Sequence, residues 1–387
     1  MVNLLLAIIY LAFISLGLPD ALLGAAWPTM CLEFNVPVSY AGIVSVIICA
    51  GTVVSSLLSD RLTRRFGTAK VTAFSVAMTA AALFGFSFSG CYWMLLLWAL
   101  PYGLGAGSVD AALNNYVALH YASRHMSWLH CMWGLGASVG PYIMGYALTG
   151  GQGWNMGYRY IGIMQAVLTA VLFISVPLWK QWNTQTRNEE KAAQSAAPGL
   201  REVLGISGAK EVLLAFFCYC ALEGTAMLWS STYLVRHLAM DEERAASLAS
   251  MFFLGITAGR AASGFLTYKF SDVNMIRLGQ SVIALGVVAM VLPLGEVGAI
   301  AGLLLVGLGC APIYPCVIHS TPDHFGAENS QAIIGVQMAS AYLGSLIAPP
   351  VFGLIANHIS ASLMPVYMGL ILLVMVLMCE QLNRKCQ

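Results

Sequence analysis

Gly103-Leu104-Gly105-Ala106 recurs 204 residues later as Gly307-Leu308-Gly309-Cys310. The register continues beyond that stretch. Gly136, Gly140-Pro141 and Gly145 are answered, 208 residues on, by Gly344, Ala348-Pro349 and Gly353. Asp20 precedes Trp27 in the first apolar run as Glu223 precedes Trp229 in the seventh. Small residues at such spacings let helix backbones approach one another inside a membrane. A glycine pattern repeated in the two halves predicts two copies of one bundle, related by an axis along the membrane normal. A solute path is then expected between the copies, near the bilayer midplane.

Composition supplies the membrane. Of 387 residues, 59% are apolar and 9% charged, with mean hydropathy +0.78 and 38 glycines. Soluble domains carry about 25% charged residues, so a soluble enzyme, a nucleic-acid binder and a disordered chain are excluded. The net charge of +1 gives polyanions nothing to hold. Each span needs about 20 apolar residues. Apolar runs fall at 4–30, 38–58, 68–89, 92–116, 128–149 and 158–179, and again at 211–235, 245–268, 275–293, 297–319, 330–356 and 364–382. The fold class is an all-α membrane protein, with twelve transmembrane helices in two six-helix bundles. The bundles are assigned to 1–180 and 211–387, joined by a polar linker at 181–210. Leu4–Leu18 could be the core of a signal peptide, but Met1-Val2-Asn3 lacks the basic residues that should precede one. The repeat also needs this segment, so it is taken as a retained first span.

The loops alternate in basic charge. Fourteen of the 18 Lys and Arg residues, among them Arg61, Arg64, Arg65, Arg124, Lys269 and Arg277, fall on one side. The positive-inside rule puts that side, the linker and both termini in the cytoplasm. A multi-pass protein of the cell (inner or plasma) membrane is expected, as a monomer. The ten cysteines lie mostly in apolar runs and include no C-x-x-C pair. They predict neither a disulfide framework nor a metal or redox centre, and no cofactor is expected. No nucleophile–base constellation appears, so no enzyme is predicted.

Charge inside a span is costly, about 2.5–3.5 kcal/mol at the centre on insertion scales. Four charges sit there. Asp20 follows Pro19, which frees a carbonyl and can bend the helix; such an acid can take up and release a proton. Asp110 has Asn114 four residues on, on one helix face, which suits a sugar hydroxyl or a proton relay. Glu223 and Arg260 could pair across adjacent spans, or Arg260 could meet an anionic solute. Asp20, Asp110 and Glu223 are therefore the proton-coupling candidates. Asn114, Asn115, His130, Trp133, Gln165, Gln337, Trp27 and Arg260 are the solute-binding candidates. Trp133 could stack on a pyranose ring. Tyr314 stands where the repeat would place a second Asp110, so function is expected to be asymmetric.

The stretch Ser56-Leu57-Leu58-Ser59-Asp60-Arg61-Leu62-Thr63-Arg64-Arg65-Phe66-Gly67 resembles the signature between the second and third spans of the major facilitator superfamily, with Ser56 where the family has Gly. The resemblance implies a gating role for Asp60, Arg61 and Arg64. The second copy, Gly264 to Lys269, has Tyr268 at the position of the acid. Three further stretches narrow the likeness: Gly105-x-Gly107-x-x-Asp110-x-x-x-Asn114, Trp128-Leu129-His130-x-x-Trp133-Gly134-Leu135-Gly136-Ala137-x-x-Gly140-Pro141, and Gly309-x-x-Pro312-Ile313-Tyr314-Pro315. They resemble the fucose/glucose/galactose–proton symporter family. That family handles proton and sugar with acids in the first and fourth spans, at the positions of Asp20 and Asp110. The expected function is proton-coupled symport of a sugar or sugar-like solute by alternating access. A sodium ion would suit the same carboxylates. The alternative is a proton-driven exporter of drugs or hydrophobic metabolites, which Gly136-x-x-x-Gly140-Pro141 also brings to mind. The partners are then a small solute, protons and the lipid bilayer.

Overall fold

The structure is a computed structural model describing residues 2–37, 40–180, 198–240 and 242–386. Most of the expected linker, 181–197, lies outside the described residues. The described chain is helical and contains no strand, as lipid demands, because a helix satisfies its own backbone groups. In chain order the helices are α1 (Val2–Gly17), α2 (Leu22–Glu33), α3 (Ala41–Phe66), α4 (Thr68–Ser87), α5 (Tyr92–His120), α6 (Ser123–Thr149) and α7 (Trp154–Lys180). After the linker come α8 (Leu200–Gly205), α9 (Ala209–Leu238), α10 (Glu242–Leu266), α11 (Asp272–Val291) and α12 (Gly295–His319). The short α13 (Thr321–Phe325), then α14 (Ala327–Ile355) and α15 (Met364–Lys385), complete the chain.

Each of the twelve apolar runs is occupied by helix. Among the described residues, nine stretches are long and apolar enough to cross a membrane; one of these, Ala327–Lys385, contains both α14 and α15. Outside the nine stand α5 and α6, which carry Asp110, Asn114, Asn115, His130 and Trp133 among their residues. The first span, read as one run, is two helices with a turn at 18–21.

Contacts divide the chain into two units, Met1–Tyr116 with Leu129–Pro198, and Val117–Trp128 with Gly199–Gln387. Segment Val117–Trp128 lies in the first half of the sequence and makes its contacts in the second unit.

The repeat has a physical content: the same helix pairs touch at the same glycines in both units. A Cβ on Gly103 would stand 2.2 Å from the carbonyl oxygen of Ile48, and one on Gly307 would stand 2.2 Å from that of Phe252. A Cβ on Gly136 would reach 2.1 Å from the oxygen of Ile14, and one on Gly344 would reach 2.4 Å from that of Phe217. Ile48 and Phe252 are 204 residues apart, as are the glycines they meet; Ile14 and Phe217 are 203 apart, and their glycines 208. Helix axes this close tolerate no side chain, because the obstacle is backbone and cannot rotate away. Gly136→Val is therefore expected to cost about 1–3 kcal/mol or more. Gly145→Ala, in a place with nothing within 4 Å, should cost nothing measurable. Thermal unfolding of the detergent-purified variants checks both.

Candidate functional site

The break in the first span begins with a missing proton donor. Pro19 has no N–H, so the carbonyl of Ser15 loses its helical partner. Gln165 of α7 replaces it, with Nε2 donating to the Ser15 oxygen at 2.8 Å. Its Oε1 accepts from the Thr79 hydroxyl at 2.8 Å, which commits both ends of a side chain that is 1% exposed. Below the break, the Asp20 amide donates to Gly17 O at 3.1 Å. Asp20 thus sits in the turn, outside regular helix and not covered by protein.

Trp133 reaches this carboxylate because α6 lies directly on α1. A Cβ on Gly17 would stand 2.1 Å from the Trp133 carbonyl oxygen. The Trp133 indole Nε1 donates to Asp20 Oδ2 at 2.8 Å, and the Tyr102 hydroxyl donates to Oδ1 at 3.5 Å. Both donors are neutral. Gain or loss of a proton on Asp20 therefore changes the charge of the site without breaking an ion pair.

A second chain of contacts runs from α5 to α6. Asn114 Nδ2 donates to Asp110 Oδ1 at 2.8 Å. Its Oδ1 stands 3.1 Å from Nε2 of His130. An amide whose nitrogen serves the acid offers only its oxygen to the ring, so Nε2 of His130 is the protonated nitrogen. The His130 ring meets the edge of Phe13 at 5.4 Å. Asn114, Asn115 and His130 are buried, and Asp110 is half-buried.

The second unit answers with an ion pair. Arg260 Nη2 lies 3.2 Å from Glu223 Oε1, with side-chain exposures of 5% and 16%. Beside it, the Tyr219 ring packs on Phe216 and Tyr314, at 6.2 and 5.8 Å. The Tyr314 hydroxyl points at the Met338 sulfur, 3.3 Å away. Breaking a buried pair by removing one partner costs about 3–5 kcal/mol, so this acid, unlike Asp20, is tied to a charged partner. Gln337 is fully buried and accepts from Thr321 at 3.1 Å.

Other candidates stand elsewhere. Trp27 is 4% exposed in the apolar cluster of the first unit, with its ring 6.2 Å from Tyr92. Gln165 is the brace of the helix break rather than a group open to a solute. Arg64 Nε bonds both carboxylate oxygens of Asp60 at 2.9 Å, one helical turn apart, while Arg61 is exposed. The structure adds Tyr102 and Thr79, which no motif marked. Their only signal is that a buried hydroxyl needs a partner. Among the described residues no group of three or more His, Cys, Asp or Glu side chains could hold a metal ion.

The family model of the Major Facilitator Superfamily matches residues 9–295 and 212–380. Among curated relatives, the uncharacterized transporter y4wD of Sinorhizobium fredii is 24% identical over 333 residues, 85% of each chain. Bypass of stop codon protein 6 of Saccharomyces cerevisiae is 23% identical over 280 residues, 67% of this chain and 56% of its own length. Among solved structures, the transporter FucP in its outward conformation superposes with TM-score 0.75 and 14% identity, over 96% of this chain and 98% of its own. The proton:xylose symporter XylE gives 0.77 at 14% identity, over 99% and 98%. The human organic anion transporter MFSD10 also gives 0.77 at 14%, over 96% and 98%. Identities this low speak for the fold alone.

Removing the brace tests the site's architecture. Gln165→Leu leaves the Ser15 carbonyl buried without its partner, while the Thr79 hydroxyl keeps the Val76 carbonyl at 2.9 Å. It is expected to cost about 1–3 kcal/mol for the orphaned carbonyl, read as a lowered unfolding temperature of the purified protein.

Proposed function

The chain belongs to the major facilitator superfamily, and on that premise we propose that it carries out proton-coupled symport of a sugar or sugar-like solute by alternating access. It is a multi-pass membrane transporter and not an enzyme. The observation that carries the proposal is Asp20, a carboxylate in a helix break, held by the neutral donors Trp133 and Tyr102. A proton entering from outside neutralises Asp20 or Asp110 and removes a charge from the interior. That lowers the barrier to the change of access, since a charge in the membrane interior is costly. The solute is met by Asn114, His130 and Trp133, groups suited to hydroxyls and to a sugar's apolar face. The Asp60–Arg64 pair acts at the gate, and both termini face the cytoplasm.

Two neighbours in fold support the solute class: E. coli FucP is described as a fucose:proton symporter and XylE as a proton:xylose symporter. Export of hydrophobic compounds fits less well, because the spans carry acids, amides, an imidazole and a guanidinium among their apolar residues. The test is uptake of a labelled hexose panel into proteoliposomes under an imposed pH gradient. Wild-type protein should accumulate one of the panel, and Asp20→Asn and Asp110→Asn should each reduce accumulation at least ~10-fold. Accumulation against the gradient by both variants would remove the proton assignment. Accumulation driven by sodium alone would transfer the coupling to that ion.

A further inference from the structure

His319, the last residue of α12, has a hydrogen-bond acceptor on each side of its ring. Its Nδ1 is 2.5 Å from Asp272 Oδ2, at the start of α11. Its Nε2 is 2.9 Å from the carbonyl oxygen of Tyr121. A carbonyl only accepts, so Nε2 carries a hydrogen. The short Nδ1–carboxylate contact then needs a second hydrogen, on the ring or on the acid. Neutral histidine beside ionised aspartate cannot make both bonds. The arrangement therefore holds one proton more than its separated parts.

The same carboxylate accepts from the Ser123 hydroxyl on its other oxygen. Tyr121 and Ser123 belong to segment Val117–Trp128, which continues at both ends into helices of the first unit but packs with the second. Aromatic contacts seat the rest of the segment. Arg124 lies over the Tyr268 ring at 4.9 Å, and Trp128 meets Phe265 at 5.7 Å. The Trp128 indole occupies the space where a Cβ on Gly264 would stand. Other titratable groups facing His319 are Cys316 on its own helix and Asp323 and His324 on α13. Burial holds the His324 imidazole below its ordinary value, so that it adds no competing positive charge at neutral pH.

We propose that His319 and Asp272 are a second proton-binding site, separate from Asp20, Asp110 and Glu223, and that the shared proton holds segment Val117–Trp128 in place. The docked segment binds one proton more than the released one, so docking strengthens as pH falls and weakens as it rises. The segment is a pH-sensitive fastening, and basic conditions on its side of the membrane release it.

Asp272→Asn separates this from a purely structural contact. An asparagine keeps the oxygen that accepts from Ser123, and its amide donates to the bare Nδ1 of neutral His319. Both bonds then form without the extra proton. Hydrogen exchange of the amides of Val117–Trp128 in the full-length protein is measured by mass spectrometry, from about pH 6 to about pH 8.5. Rates are corrected for intrinsic pH dependence, with Gly302–Gly309 of α12 as the control for folding. Wild-type protection should fall roughly fivefold or more across the range, and Asp272→Asn should stay protected throughout. A flat wild-type profile overturns the proposal even if the variant fails to fold. An Asp272→Asn profile that falls with the wild-type slope overturns it as well.

Discussion

A carbonyl inside hydrocarbon must have a donor, and the rest of the first unit follows from how one is supplied. Pro19 deprives Ser15 of its partner, and Gln165 of α7 makes the loss good from another helix, fixed in turn by Thr79 of α4. The break then leaves no unsatisfied carbonyl at Ser15. Asp20 is left in a turn rather than on a helix face. There its carboxylate meets the Trp133 indole and the Tyr102 hydroxyl. The acid's position depends on an amide of the neighbouring α7 that is not bonded to it.

The two units share their backbone contacts and differ in their polar groups. The offset that relates Ile14 to Phe217 also relates Asp20 to Glu223. Glu223 is paired with Arg260, whose counterpart in the first unit is Ser56, bonded to the Gly107 carbonyl. Tyr314 and Met338 occupy the places of Asp110 and His130, and they touch each other as those residues connect through Asn114. One geometry is thus fitted with titratable groups in the first copy. In the second it is fitted with an ion pair and a hydroxyl–sulfur contact. Close glycine packing preserves the positions while the chemistry at them diverges.

The architecture was legible because its determinants are written as glycines. A helix crossing that admits no Cβ must keep its glycine, so Gly103 and Gly307 reveal the repeat without any knowledge of their partners. The site was legible where a costly group stood alone in an apolar run, as with Asp20, Asp110, Glu223 and Arg260. It was less so where an amide could serve either a solute or the backbone. Gln165 carries the same side chain in both cases, and only the orphaned Ser15 carbonyl, in another helix, tells them apart. Trp27 was drawn in by its correspondence with Trp229, yet it packs in the apolar cluster while Trp229 donates to the Pro349 carbonyl at 2.8 Å. Nothing in the spacing of Val117–Trp128 marks it as packing with the second unit, since its contacts are to single side chains far along the chain.

The contrast between Asp20 and Glu223 has an electrical consequence. An ion pair that moves as one body carries no net charge through the field, so the membrane voltage does no work on Glu223 with Arg260. An acid held by neutral donors carries its full charge whenever it is ionised. Moving one elementary charge through 100 mV is worth about 2.3 kcal/mol. Asp20 and Asp110, each bonded to neutral donors, are therefore the carboxylates of the first unit on which the voltage does work whenever they are ionised.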